Sequence, residues 1–347
     1  LVATPILTGS IFRLPVGMLT DKVGGRIVYM TLMLAMIIPL WFIGDATEYW
    51  QFLVLGLFVG IAGASFSVGI AYTAKWFEKG KQGFAMGIFG AGNAGAALTK
   101  FIAPALVISY GWQMVPKIYA VAMIVVVISY WMFTYEDPAH HTAANTSMRE
   151  QLKALNDPKL WKYMQYYSLV FGGFVALSLW MTKYYINEYG FDLQTAALLA
   201  AIFVLPSGVI RALGGWFSDK YGAYKVTTTG DALFDLSLNV WVFTAFLFIL
   251  GIAWGFGKAS VFKFLSDEYP DNIGVVSGIV GLAGGMGGFL LPIMFGVLID
   301  YTHVNSVIFM LLYGATAVSL IWMHFTFGKE KKASNINQAR TDALAKK

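Results

Sequence analysis

Apolar runs of about 18 residues or more recur from one end of the 347-residue chain to the other. A run of that length with few or no charges reads as a transmembrane helix. Five runs precede the middle, at about 1–19, 27–44, 50–77, 84–108 and 114–134. A polar stretch from Glu136 to about Lys159 follows, containing His140, His141, Arg149 and Lys153, and it reads as a linker. Five more runs lie at about 164–187, 195–217, 239–264, 273–299 and 306–327. The tail from Gly328 to Lys347 is polar and basic, a composition that predicts disorder. The pattern divides the chain into an N-terminal helical half (1–135), a linker (136–160), a C-terminal helical half (161–328) and a tail (329–347).

Linker and tail share one side of the membrane only if an even number of spans separates them. Five are visible. The segment from Lys225 to Leu238 (KVTTTGDALFDLSL) stands where a sixth belongs, but it is too short to cross and carries Asp231 and Asp235. The sequence also begins at Leu1, already inside an apolar run. The expectation is an all-α membrane protein showing about ten of an original twelve helices, without the first and without one near 225–238.

Composition agrees. The chain is 58% hydrophobic and 12% charged, with a mean hydropathy of +0.65, whereas soluble proteins carry roughly 25% charged residues. The absence of cysteine excludes disulfides and thiolate metal sites. The 37 glycines fall inside apolar runs, where they permit close helix packing. The net charge of +5 comes from loops and tail, so it speaks for membrane orientation and not for nucleic acid. The side with Lys22, Arg26, Lys79, Lys81, Arg149, Lys153, Lys220, Lys225 and the lysine-rich tail is expected to be cytoplasmic. The other side holds Asp45, Glu48, Glu188, Asp192 and Asp300.

The two halves repeat. Gly17-Met-Leu-Thr-Asp21-Lys-Val-Gly24 matches Gly215-Trp-Phe-Ser-Asp219-Lys-Tyr-Gly222 at an offset of 198 (219 − 21), and Arg13 matches Arg211 at the same offset (211 − 13). Both read R-x-x-x-G-x-x-x-D-x-x-G. Further on, Gly87-Ile88-Phe89-Gly90 matches Gly278-Ile279-Val280-Gly281 at an offset of 191 (278 − 87). Two similar helical halves with sites at their interface are the design of a secondary transporter. Each aspartate ends an apolar span before a basic turn. Its carboxylate is expected at the next helix's N-terminus, where the helix dipole favours it, or paired with Arg26 or a neighbouring helix.

The D-x-x-G-x-R turn of Asp21, Gly24 and Arg26 resembles the signature loop of the major facilitator superfamily. The run Gly87-Ile-Phe-Gly90-Ala-Gly92-Asn93-Ala-Gly95 resembles the glycine-rich signature of that superfamily's nitrate/nitrite porter family. A second copy, GIVGLAGGMGG from Gly278 to Gly288, sits in the equivalent late helix, with Gly284 where Asn93 would repeat. The resemblance implies a two-half helical bundle. It also implies nitrate or nitrite as substrate and no cofactor.

Arg13 lies eight residues before Asp21, about 12 Å into the membrane at 1.5 Å per residue, and Arg211 lies at the same depth. A charge there costs roughly 2.5–3.5 kcal/mol on insertion scales. All 19 acidic residues fall in a loop, a tail, a span end or the 225–238 segment. No visible span interior offers a carboxylate partner, which points to an anion site; an ion pair with an unseen helix is the structural alternative. Guanidinium binds planar oxyanions through parallel hydrogen bonds. The resemblance makes Arg13 and Arg211 the pair that holds the anion.

It further implies that Tyr167, Phe171 and Phe66 flank the anion, with lipid or core packing as the alternative for each ring. The Asn93 amide is a candidate donor, or a helix-packing group. Gly87, Gly90, Gly92, Gly95, Gly278 and Gly281 are expected to serve gating and packing. Lys100 is a third intramembrane cation, able to tune anion affinity or carry a proton, unless it snorkels to the interface. Lys75, Lys258 and Lys263 lie near cytoplasmic span ends and are expected to snorkel. His303 and His324 are isolated, so no metal site, catalytic residue or ATP-binding loop is expected.

The expected mechanism is alternating access in the cytoplasmic (inner) membrane by a protein working as a monomer. Two facing arginines repel until an anion cancels part of their charge, which favours nitrate/nitrite exchange; Lys100 keeps proton-coupled uptake open. A carrier of another small monovalent anion such as an organic monocarboxylate, a non-transporting sensor on the same scaffold, and a channel are the alternatives.

Overall fold

The computed structural model describes residues 4–78, 80–136, 152–221 and 239–345. It is a bundle of ten helical spans, with no strand among the described residues. The first five are α1 (Thr4–Val23), α2 (Gly25–Ile43), α3 (Tyr49–Trp76), α4 (Gln82–Ala91 continuing through a 3₁₀ turn at Gly92–Ala94 into Gly95–Tyr110) and α5 (Met114–Phe133). The last five are α6 (Pro158–Tyr189), α7 (Leu193–Val209 followed by Arg211–Tyr221), α8 (Val240–Glu268), α9 (Ile273–Thr302) and α10 (Val307–Ala345).

Hydrocarbon offers the backbone no hydrogen-bond partner, so apolar segments satisfy their own amides as helices. Eight of the ten are long and apolar enough to cross a membrane. The other two are α1, which carries Arg13, Asp21 and Lys22, and α4. Where the chain leaves the bilayer, the turns follow local chemistry. Gly24 separates α1 from α2 with φ +97°, a conformation that favours glycine. Asp157 caps α6 ahead of Pro158 by accepting from the Lys159 amide, and Asp192 caps α7 by accepting from the amides of Gln194 and Thr195. Ile38, Phe42, Val125, Met132 and Phe133 remain exposed along the flanks, an apolar surface that suits lipid.

Helices from the two ends of the sequence interlock. α1 packs along α9, and the second part of α7 packs along the first part of α4. Both contacts are made at glycine. A Cβ on Gly17 would strike the Gly274 carbonyl oxygen, and one on Gly215 would strike that of Gly83. These contacts match by the repeat: 215 − 17 is 198, and 274 − 83 is 191. Close approach through small residues is how membrane helices gain packing energy without a hydrophobic driving force.

Three expectations need correcting. The tail does not leave helical structure at Gly328: α10 continues to Ala345, and its Ala, Lys, Glu, Gln and Arg residues are good helix formers. The run expected at 164–187 is longer, because Asp157 and Pro158 start α6 early. It also contains a π-helical turn at Ser168–Gly173, a rare element concentrated at functional sites. Finally, a Cβ on Gly92 or Gly95 would meet nothing within 4 Å, so these two glycines do not mediate packing. Gly222, Lys79, His140, His141, Arg149, Lys225 and the 225–238 segment lie outside the described residues, as does the side chain of Lys100.

The glycine contacts predict unequal tolerance. Gly215→Val is expected to cost about 1–3 kcal/mol by overpacking, while Gly92→Ala should stay within about 0.5 kcal/mol of the parent. Thermal unfolding in detergent measures both, and equal losses would contradict the packing described.

Candidate functional site: two arginines seated in opposing glycines

Each arginine sits against the signature glycines contributed by the other end of the chain. A Cβ on Gly90 would lie 2.5 Å from Arg211 Nε, and one on Gly87 would strike the Arg211 carbonyl oxygen. Reciprocally, a Cβ on Gly278 would lie 2.7 Å from the Arg13 carbonyl oxygen, and one on Gly281 would lie 2.9 Å from Arg13 Cδ. Any larger residue at these positions would move the guanidinium or push the helices apart.

Both arginines are buried, at 6% and 1% exposure for Arg13 and Arg211. Neither makes an ion pair among the described residues. Their surroundings differ. Arg13 Nε donates to the Gly63 carbonyl at 3.1 Å and Nη1 donates to the Gly281 carbonyl at 2.6 Å. Arg211 Nε and Nη1 have no hydrogen-bond partner. A buried donor without a partner costs about 1–3 kcal/mol, more for a charged group, so Arg211 is the under-satisfied member of the pair.

Aromatic rings connect the two. Phe66 lies under both guanidinium groups, with its ring centroid 5.9 Å from Arg13 Cζ and 4.9 Å from Arg211 Cζ. Phe171 takes Arg13 on its face at 4.9 Å. Cation–π contact offsets part of the desolvation cost, by about 0.5–2 kcal/mol per pair. Tyr167 stacks on Phe171 with centroids 5.1 Å apart and rings 4° from parallel. The π turn begins immediately after Tyr167 and includes Phe171. Phe262 from α8 closes the cluster, edge-on to both Phe66 and Tyr167. The Tyr167 hydroxyl faces Arg211 but makes no hydrogen bond of ordinary geometry, and Ser67 Oγ beside Arg13 also lacks a partner.

Thus Arg13, Arg211, Phe66, Tyr167, Phe171 and the four glycines Gly87, Gly90, Gly278 and Gly281 come together. Asn93 stands apart. It lies half-buried in the 3₁₀ turn at Gly92–Ala94, which packs against Gly208 of α7, and its Nδ2 has no partner. Its counterpart by the repeat, Gly284, is filled instead by the Tyr167 ring.

The signature aspartates also reach across: of the expected partners they take a neighbouring helix, and neither the next helix in sequence nor Arg26. Asp21 accepts from the Val275 amide at 2.9 Å, at the N-terminus of α9. Asp219 accepts from the amides of Gly83 and Phe84 at 3.1 and 2.8 Å, at the N-terminus of α4. Each carboxylate therefore caps a helix of the opposite half, favoured by its dipole. Arg26 turns away and donates to Thr134 Oγ1 and the Trp131 carbonyl. Asp219 also pairs with Lys263 at 3.2 Å. Lys263 and Lys258, expected to snorkel, are instead 7% and 0% exposed: helix contacts enclose both, so neither ammonium reaches an interface.

Ser67, Phe262, Gly83 and Gly274 were missed by sequence reading, and Lys258 was noted only as a snorkelling cation. The two glycines carried a signal, since they stand four residues before Gly87 and Gly278 and keep the offset of 191.

The Major Facilitator Superfamily model matches residues 1–234 and 193–346. The chain is 36% identical to the probable nitrate/nitrite antiporter NarK1 of Thermus thermophilus, over 93% of this chain and 82% of that one. The chain belongs to the nitrate/nitrite porter family of the major facilitator superfamily. It is also 29% identical to the nitrite extrusion protein of Bacillus subtilis strain 168, over 93% of this chain and 84% of that one. Among solved structures, the human organic anion transporter MFSD10 superimposes with a TM-score of 0.76 at 15% identity, covering 92% of this chain and 82% of that one. That likeness confirms the fold. Members of this superfamily are transporters, and the chain is a multi-pass membrane protein.

The caps yield a test. Asp21→Ala is expected to cost about 0.5–2 kcal/mol, the value of an N-cap. Asp219→Ala should cost more, because it also removes one of the two carboxylates that hold the nearly buried Lys263. Thermal unfolding of both variants and of Asp219→Ala/Lys263→Met measures the difference; equal losses for the two single variants would discount the Lys263 pair.

Proposed function

We propose that the protein carries nitrate and nitrite across the cytoplasmic membrane by alternating access. One observation carries the reading: two buried guanidinium groups, without carboxylate partners among the described residues, share one aromatic ring. Beside them, the donors of Arg211, Tyr167 and Ser67 stand unpaired. A planar monovalent oxyanion answers each feature. It supplies the missing negative charge, it accepts from the unpaired donors, and its flat shape fits between rings. The names of the relatives, a nitrate/nitrite antiporter and a nitrite extrusion protein, support the choice of anion.

In this reading Arg211 makes the dominant hydrogen bonds and Arg13, anchored to backbone carbonyls, supplies charge and position. Phe66, Phe171 and Tyr167 form the walls. The Asn93 amide is a later contact, made when α4 shifts. Residues 1–135 and 161–328 are the rocking halves, joined by the linker 136–160, and Gly87, Gly90, Gly278 and Gly281 are the surfaces on which they close. Linker and tail are cytoplasmic, the working unit is a monomer, and neither enzymatic chemistry nor a cofactor takes part. An anion between the arginines cancels their repulsion and lets the halves turn, which suits both exchange and proton-coupled uptake.

Nitrate/nitrite counterflow in proteoliposomes tests this. Arg13→Lys and Arg211→Lys should each lower it by about 100-fold or more, because a point charge replaces a bidentate fork. Formate and larger monocarboxylates should compete weakly. Wild-type flux in either variant would overturn the site assignment; strong competition by acetate would move the substrate to organic monocarboxylates.

A further inference from the structure

The buried interior holds a further cation beside the arginine pair that the anion site does not use. Lys258 in α8 is fully enclosed. Its Nζ donates to Ser207 Oγ at 2.7 Å and stands 3.5 Å from the centre of the Phe174 ring. Among the described residues it makes no ion pair. Ser207 precedes Arg211 by four residues, one helical turn along α7, and Arg211 is the charge that bears on Lys258.

The surrounding ionisable groups are otherwise engaged or distant. The stretches Gln82–Ala91 of α4 and Leu193–Val209 of α7 contain none. On the second part of α7, Asp219 is held by Lys263 and the α4 amides, and Lys220 lies over the Trp216 ring. On α8 itself, Lys263 also pairs with Asp267, and Glu268 accepts from the Tyr163 hydroxyl. On α6, Tyr167 faces Arg211, Tyr185 bonds Thr244, and Lys159, Lys162, Lys183 and Glu188 lie toward the two ends. On α9, Asp300 lies in the last turn.

We propose that Lys258 is the proton carrier that couples anion binding at Arg211 to proton movement, a role that rests on the anion-carrier reading above. A buried ammonium is held here by one hydroxyl and one ring, with a guanidinium as its charged neighbour. An anion arriving at Arg211 stabilises a proton on Lys258, and a proton on Lys258 stabilises the anion. Such coupling is reciprocal by linkage. The step balances simply. Nζ takes one proton from the aqueous side to which the site is open, and releases it on the other side as the anion leaves. One proton and one monovalent anion cross together, and only an N–H bond forms and breaks. Ser207 positions the amine in both states, since its hydroxyl can accept from the ammonium or donate to the neutral amine.

The repeat isolates this feature. Lys258 corresponds by the offset of 191 to Ser67, which lies beside Arg13 (258 − 191). The same place in the fold carries a neutral hydroxyl in the first half and a titratable amine in the second.

The test uses full-length protein in proteoliposomes, with labelled nitrate and a pH-sensitive dye in the lumen. With wild type, an inward acid gradient should accelerate nitrate uptake and acidify the lumen. Lys258→Met should keep nitrate/nitrite counterflow at equal pH within about threefold and lose both responses. Lys258→Arg, which keeps a permanent charge and so guards against misfolding of the Met variant, should lose them too. Either variant responding to the gradient like wild type would overturn the proposal. So would a wild type that shows counterflow but no gradient response, which would leave the anion-carrier reading standing. Absence of wild-type counterflow would instead bring down that reading and this one together.

Discussion

Two positive charges held in a membrane interior without carboxylate partners among the described residues govern this structure. Removing a guanidinium from water costs several kcal/mol even after relaxation, and the cost must be met by whatever surrounds it. Arg13 meets it with backbone carbonyls and two aromatic faces. Arg211 has one aromatic face and unpaired donors. The glycines follow from the same need. Backbone can approach a buried guanidinium only where no Cβ intervenes, and Gly90 and Gly281 provide that clearance. The π turn of α6 belongs to this set as well. It lies where Tyr167 and Phe171 stack and where Gly172 meets Gly287 of α9.

Much of this was legible in the sequence because the repeat is a statement about geometry. Residues at matched offsets occupy matched places, so R-x-x-x-G-x-x-x-D-x-x-G announced both arginine sites. The glycine signatures announced the helices opposite them. Aromatic partners were reachable through family resemblance alone, since a Phe at helical spacing looks the same whether it faces lipid, core or cation. The structure picked out Phe66, Phe171 and Tyr167 from a crowd of rings.

Other features lay beyond the pattern for identifiable reasons. The aspartates cap helices more than 130 residues from Asp219 and more than 250 from Asp21, and no local rule connects a carboxylate to so distant an amide. Lys258 and Lys263 were misjudged because position in a run measures depth along a helix, whereas burial depends on which neighbours lie across it. Gly92 and Gly95 were judged by membership in a motif; their own flanks are open in the structure, and the contact with Gly208 is made by Ala94 between them. The tail's polarity predicted disorder, but polar residues of high helix propensity can extend a helix that is already nucleated.

The replacement of Ser67 by Lys258 between the two repeats has a further consequence. The two halves are related by an axis along the membrane normal, so matched positions lie at the same depth in the bilayer, and at this depth one half is neutral and the other titratable. A cation on one side of that axis makes the electric field between the halves unsymmetric. In the proposed scheme that asymmetry lasts only while the one amine holds its proton, so the acidity of the compartment to which the site opens sets the field an entering anion meets.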